Sequence, residues 1–145
     1  MMDLFLTRKD KFHDQSSLED LHNVTLNWES QVQFWKDEIR FFQDIIDKYF
    51  LQMVSNDNLD TTTEIVDEMS SIRDRGLSDL MSKMELHEEH LSSLMNQEWS
   101  EEAYRKEHIK LAQDMHQFNN GLVQLKQRVF NLVEDVRNES KTFLP

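Results

Sequence analysis

The sequence predicts an all-α fold, an elongated antiparallel three-helix bundle of up-down-up order with coiled-coil-like packing. First, its 145 residues include only 2 Gly and 1 Pro, whereas β-sandwiches and doubly wound α/β folds need many turn residues. Second, apolar residues recur at alternating steps of three and four, the period of a coiled coil. Third, only two short polar clusters interrupt this pattern, and short loops make consecutive helices antiparallel neighbours.

The first helix is predicted over residues 17–54. Ser16 and Ser17 precede Glu19 and Asp20 at the offsets of a capping box, in which side chains bind the free backbone N–H groups of a helix start. The apolar positions that follow have a 3.5-residue period, which Thr25 alone interrupts. They are Leu18, Leu21, Trp28, Val32, Trp35, Ile39, Phe42, Ile46, Tyr49 and Met53.

The second helix is predicted over residues 60–96. The polar run 55–58 ends the first helix, and Thr61 with Glu64 offers a second capping box. Between Ile72 and Met84 the apolar spacing changes to successive steps of four. This is a stutter, which locally unwinds a supercoil.

The third helix is predicted over residues 100–138, with Ser100 as its N-cap and two acidic residues in its first turn. Residues 1–15 form an N-terminal segment that is irregular or packed on the bundle, and residues 16–145 form a single bundle domain. Three antiparallel helices of near-equal length resemble spectrin-type repeats in topology. No residue motif of a family accompanies this resemblance.

Composition excludes several classes of function. The formal net charge of −12 disfavours binding to nucleic acid or to anionic membranes. The chain has no Cys, which removes disulfides and thiolate chemistry. No run of about 18 apolar residues predicts a membrane span, and no basic-then-apolar order predicts a signal peptide, so a cytoplasmic location is expected by default. A nucleophile elbow and a phosphate loop are also missing, so we predict no enzyme activity and no cofactor.

Polar residues on the apolar faces predict a histidine layer. If the helices are antiparallel around their two turns, then Thr25, His87 and His108 lie at one level, and His22 and His90 lie one turn away. A polar layer that fixes helix register is the first interpretation. The second is a mononuclear site for a transition metal such as Zn. Its ligands would come from His22, His87, His90 and His108.

A carboxylate–metal enzyme is a remote third interpretation. Glu19 and His22 have the Glu-x-x-His spacing of di-iron bundles. Such sites need a second motif of this kind and two further carboxylates that project inward, and the sequence offers neither.

Two glycines are predicted to lie opposite each other. Gly76 and Gly121 fall at one level of helices two and three, near Trp35 and Ile39 of helix one. A glycine within a helix costs about 1 kcal/mol relative to alanine. The gap that the glycines leave is predicted to accommodate the Trp35 indole, with a ligand pocket as the alternative.

Helix one has more apolar surface than packing on two neighbours requires. Its apolar arc covers roughly 200°, against little more than 100° for a helix with one buried stripe, whereas helix three has no comparable flank. We therefore predict self-association as a homodimer, or binding to another protein, through helix one. Alternatively, Met1, Leu4, Phe5 and Leu6 fold back over this surface. The predicted interface residues are Val24, Phe34, Phe41 and Ile45, and Phe50 extends the arc on its other side.

Overall fold

The computed structural model describes residues 17–55 and 58–143, with side chains through residue 138. Within these ranges 94 % of the residues are helical, in three long helices without a strand. The all-α prediction is thereby confirmed. The predictions for residues 1–15, including the fold-back of Met1, Leu4, Phe5 and Leu6, lie outside the described residues.

The first long helix, α1, spans Leu18–Ser55, close to the predicted range 17–54. Its start is capped as predicted, since the backbone N–H of Asp20 donates to Ser17 Oγ at 3.1 Å. The buried side of α1 follows the predicted apolar positions. Leu21, Val32, Trp35, Ile39, Phe42, Ile46 and Met53 are all buried.

The second long helix consists of α2 (Leu59–Ser71), a π-helical turn (Ile72–Gly76) and α3 (Leu77–Met95). It begins earlier than the Thr61–Glu64 capping box implies, so that prediction is wrong. The carbonyl of Asn58 already accepts the N–H of Thr62 at 2.8 Å, which places Thr61 inside the first turn. Asn58 is the N-cap residue, and its side chain makes no capping hydrogen bond.

The π-helical turn lies where the sequence predicts a stutter. A π-turn accommodates one extra residue and thereby rotates the following residues around the helix axis. After the turn it is Leu77 that is buried, whereas the neighbouring Gly76 is half-buried. Beyond the turn, Leu80 and Met84 are buried as the predicted series has them, and Leu77 is buried in place of Gly76.

The third long helix, α4, spans Glu101–Phe143 and continues beyond the predicted end at residue 138. Its N-cap is Ser100, whose Oγ accepts the backbone N–H of Ala103 at 3.2 Å. The preceding turn is a Schellman motif, with Glu98 N bonded to the Ser93 carbonyl at 2.7 Å. In this turn Gln97 has a φ of 61°, the left-handed conformation that glycine usually adopts at that position.

The structure groups into two compact units. Of the described residues, unit 1 comprises 17–33 and 78–117, and unit 2 comprises 34–55, 58–77 and 118–143. Each unit takes a part of all three long helices. Unit 1 buries three polar side chains with its apolar core, namely Thr25, His87 and His108. Unit 2 buries Thr62 alone among polar side chains of its described residues.

The two glycines of unit 2 differ in their surroundings. A Cβ on Gly76 would lie 2.9 Å from Phe118 Cε2, and the Phe118 ring packs against Trp35 with centroids 4.8 Å apart. Gly76 thus gives room to Phe118, rather than to the predicted indole. A Cβ on Gly121 would meet nothing within 4 Å, so the predicted gap shared by both glycines is wrong.

Candidate functional site

The histidine layer lies in unit 1. Thr25 of α1, His87 of α3 and His108 of α4 are all 0 % exposed. Each occupies a position where the apolar period continues, so the same packing that buries leucine elsewhere buries these polar groups. Thr25 donates its hydroxyl to the Leu21 carbonyl at 3.0 Å, which leaves the two imidazoles as the polar groups that need partners from other helices.

One carboxylate organises the histidines. Glu107 accepts from His87 Nδ1 at 2.5 Å and from His90 Nδ1 at 2.7 Å, one bond on each oxygen. Because an ionised carboxylate only accepts hydrogen bonds, both Nδ1 atoms carry protons. A neutral His87 then accepts at Nε2, where His108 Nδ1 lies 2.8 Å away. The hydrogen-bond chain therefore runs from His108 through His87 to Glu107.

An aromatic ring stacks on each of the two buried imidazoles. His87 stacks on Tyr104 with centroids 4.2 Å apart and an interplanar angle of 1°. Trp28 stacks on His108 at 4.6 Å and 26°. These rings cover one face of each of the two fully buried imidazoles.

Burial changes two pKa values in this layer. Desolvation lowers the pKa of His87, although the charges of Glu107 and Glu88 and the bond to Glu107 act in the opposite direction. Desolvation raises the pKa of Tyr104 to about 12, and the same carboxylates add to this rise. The Thr25 hydroxyl and the charge of Arg105 oppose this rise. Burial thus favours the neutral forms of the His87 imidazole and the Tyr104 phenol.

The predicted metal ligands are only partly brought together. His87 bonds directly to His108, and His90 joins them through Glu107. His22 instead binds Glu88, with Nδ1 2.9 Å from a carboxylate oxygen. Within residues 17–55 and 58–143, no group of three or more acidic or histidine side chains is arranged to hold a metal ion. The metal site at His22, His87, His90 and His108 stays a prediction.

Sequence reasoning missed several members of this layer. Glu107 lies beside His108 in the sequence, between helical apolar positions, where a carboxylate normally faces solvent. Tyr104 follows the apolar period and is buried, but its stacking on His87 is not visible in that period. Trp99 stacks on His90 with centroids 3.9 Å apart, although it belongs to the turn before α4. These contacts depend on which residues of different helices lie side by side. The apolar period of a single helix does not contain that information.

The predicted interface residues fall in both units. In unit 2, Phe34 and Phe41 are 58 % and 59 % exposed, and Ile45 is half-buried. Val24 is half-buried in unit 1 and is described with that unit. The exposure of Phe34 and Phe41 agrees with their position outside the buried stripe of α1.

Helix α4 adds apolar surface to unit 2 that the sequence analysis did not expect. Val123 and Phe130 are 50 % and 53 % exposed. Phe42 contacts Phe41 and Phe130 edge-to-face, with centroids 5.7 Å and 5.3 Å apart. We call Phe34, Phe41, Ile45, Val123 and Phe130 the phenylalanine face. Helix α4 thus contributes two exposed apolar residues, against five on α1 within the described residues.

A groove of about 250 Å³ continues this face between α1 and α4. Its lining combines apolar side chains with charges of both signs. The lining residues are Phe42, Ile45, Lys48, Tyr49, Val129, Phe130, Val133, Glu134 and Arg137. Nearby, Lys126 donates to Glu38 at 2.7 Å, and both side chains are largely shielded from solvent.

No helix in the described part of the chain is long and apolar enough to cross a membrane. Comparison of the sequence and structure with protein-family profiles, curated proteins and solved structures finds no match.

Proposed function

We propose that this chain is a non-enzymatic protein-interaction bundle that self-associates through the phenylalanine face of unit 2. The observation that carries the proposal is the exposure of three phenylalanine rings on one unit, each by more than half. Burying a phenylalanine side chain contributes about 1.5–3 kcal/mol. Aromatic side chains with a polar rim are also typical of the centre of a protein interface.

Spacing supports a continuous surface along both helices. Phe34 and Phe41 are seven residues apart on α1, and Val123 and Phe130 are seven apart on α4. Seven residues complete nearly two helical turns, so each pair projects from the same side of its helix. Phe42 connects the two rows through its ring contacts with Phe41 and Phe130.

The charges around the face suit a partner of the same sequence. Lys48, Arg137 and Glu134 line the groove, so it presents both signs of charge. In a two-fold dimer the same patch faces itself in reverse, and Glu134 of each chain can approach Lys48 or Arg137 of the other. A homodimer therefore requires no further chemistry from another protein.

For the fold we propose a single bundle domain in which the three long helices run up, down and up with coiled-coil packing. The sequence positions of the contacting residues in unit 2 support this arrangement. Glu38 pairs with Lys126 and Phe42 with Phe130. A later residue of the first helix thus contacts a later residue of the third, as expected for parallel helices. Arg128 binds Glu68, and Phe118 lies beside Gly76. A later residue of the second helix thus contacts an earlier residue of the third, as expected for antiparallel helices.

Sedimentation equilibrium of the full chain tests the proposed function. The wild type is expected at about twice the 17.5 kDa chain mass at high micromolar concentration. A Phe34→Glu, Phe41→Glu variant is expected at the monomer mass with unchanged helicity by circular dichroism, because these rings are exposed rather than core residues. The matched control is Phe50→Glu with Leu51→Glu, which alters two exposed apolar residues elsewhere on α1.

Two outcomes would contradict self-association through this face. A wild-type chain that stays at the monomer mass at high micromolar concentration excludes the homodimer. A dimer that persists in the Phe34→Glu, Phe41→Glu variant but dissociates in the control places the interface elsewhere. Phe130→Glu is a separate test on α4. If this variant is also monomeric, then α4 as well as α1 takes part in the interface.

A further inference from the structure

Unit 1 has an open groove that the histidine layer and the phenylalanine face do not use. It lies between α1 and α3 and has a volume of about 570 Å³. The lining residues are Leu26, Glu29, Ser30, Val32, Gln33, Met81, Met84 and Glu85.

The lining combines an apolar floor with an acidic rim. Val32 and Met84 are buried at the base, whereas Leu26 is 43 % exposed. Glu29 and Glu85 are exposed at the rim, and the lining includes no basic residue. Methionine side chains adapt their shape to an apolar ligand. The chemistry that fits this groove is a short apolar segment followed by positive charges.

The N-terminal sequence of the chain has this order. Leu4, Phe5 and Leu6 are consecutive apolar residues, and the following residues 7–11 contain three basic side chains and one acidic one, Asp10, for a net charge of +2. The basic residues are Arg8, Lys9 and Lys11. The segment joins unit 1 directly, since α1 begins at Leu18. We propose that residues 4–11 dock in the groove of unit 1, with the apolar residues on its floor and the basic residues beside Glu29 and Glu85.

The covalent connection is long enough for this contact. Leu26 follows Ser17 by nine residues, which is about 14 Å along a helix. The chain from Leu6 to Ser17 spans at most about 37 Å when extended. Because the segment is tethered, its effective concentration at a groove within reach is of the order of millimolar. Weak individual contacts therefore suffice for occupancy.

Charge disfavours the phenylalanine face as the docking site. The groove beside that face contains Lys48 and Arg137 with one acidic residue, Glu134, so it repels the basic residues of the segment. Charge therefore favours the groove of unit 1. This inference is independent of the proposed self-association.

Paramagnetic NMR on the full chain tests the docking. The sequence has no Cys, so Thr7→Cys gives one attachment point for a nitroxide label. With ¹³C-methyl methionine, the signals of Met81 and Met84 are expected to broaden strongly. The signals of Met53 and Met69 in unit 2 are expected to stay sharp.

Charge variants test the chemistry of the contact. Glu29→Gln with Glu85→Gln is expected to reduce the broadening at Met81 and Met84 at least twofold, because the rim loses its negative charge. The matched control, Asp37→Asn with Asp135→Asn, removes two exposed carboxylates of unit 2 and is expected to leave the broadening unchanged. Equal loss in both variants would contradict the specific contact and indicate a general charge effect.

A mixing experiment identifies the chain that supplies the segment. Labelled chain without ¹³C is mixed with ¹³C-methionine chain that carries no label. Broadening of Met81 and Met84 is expected only when label and isotope are on the same chain. Equal broadening in the mixture would overturn docking within one chain. Broadening centred on Met53 and Met69, or none at any methionine, would overturn the groove assignment.

Discussion

His87 Nε2 lies 2.8 Å from His108 Nδ1, and both side chains are fully buried. In this bond His108 is the donor and His87 the acceptor. His87 Nδ1–H donates to Glu107, so the Nε2 of a neutral His87 has no proton and accepts. A second proton on His87 would face the Nδ1–H of His108 and remove the acceptor. The layer is therefore built for neutral imidazoles, and this has consequences for stability.

The first prediction is that stability falls as the pH drops through about 6.5, the pKa of an unfolded histidine. Burial lowers the pKa of His87 in the folded chain, so the unfolded chain binds more protons over this range. One histidine gives a slope of at most about 1.4 kcal/mol per pH unit. Urea unfolding between pH 5 and 8 measures it.

Several neighbouring groups affect the pKa of His87, so a variant is needed to attribute the pH dependence of stability to the histidines. Glu107 and Glu88 raise its pKa, and His90 and burial lower it. A His87→Leu, His108→Leu variant is expected to flatten the pH dependence. The control Met84→Leu changes a buried neighbour at similar volume and is expected to keep the wild-type slope. An unchanged slope in the double variant would contradict a neutral, buried histidine layer.

The second prediction concerns the carboxylate bridge. Glu107→Gln leaves one acceptor oxygen for two imidazole N–H groups, so His87 or His90 loses its partner. Leaving a largely buried donor unsatisfied costs about 1–3 kcal/mol, measured by urea unfolding at pH 7. The control Glu102→Gln removes an exposed ion pair with Lys106 and is expected to change stability little. Equal effects of both substitutions would show that Glu107 does not bridge the histidines.

The third prediction is that alanine has opposite effects at the two glycines. Gly121→Ala is expected to stabilise by about 1 kcal/mol, since the new Cβ meets nothing within 4 Å. Gly76→Ala is expected to destabilise by about 1 kcal/mol, because the new Cβ must displace Phe118, which Trp35 already holds. Thermal unfolding of both variants compares them. Stabilisation by Gly76→Ala would mean that the Phe118 ring moves freely.

The fourth prediction addresses metal binding at the histidines. The Nδ1 atoms of His87 and His90 hold Glu107, and Nε2 of His87 holds His108. A zinc ion must break these bonds, so untagged protein is expected to retain much less than one zinc per chain by elemental analysis. One zinc per chain, lost in the His87→Leu, His108→Leu variant, would instead establish the metal site predicted from the sequence.

Local sequence signals were sufficient for the helices themselves. Ser17 and Ser100 cap α1 and α4 as predicted, because an N-cap depends on residues within one turn. The Thr61 capping box is wrong because the helix begins three residues earlier, with Asn58 as its N-cap residue. Two cap patterns close together in the sequence compete, and the sequence alone does not rank them.

The sequence by itself determined the all-α class, the approximate helix ranges and the proximity of His87 and His108. These follow from helical period and from the positions of the turns, which are properties of the chain order. Only the tertiary structure decided that Glu107 bridges two histidines, that Gly76 gives room to Phe118 and that Phe130 extends the exposed surface of α1. Those contacts depend on the rotation of each helix about its axis and on side-chain rotamers. A shift of a few ångströms between helices changes these contacts and leaves the apolar period unchanged.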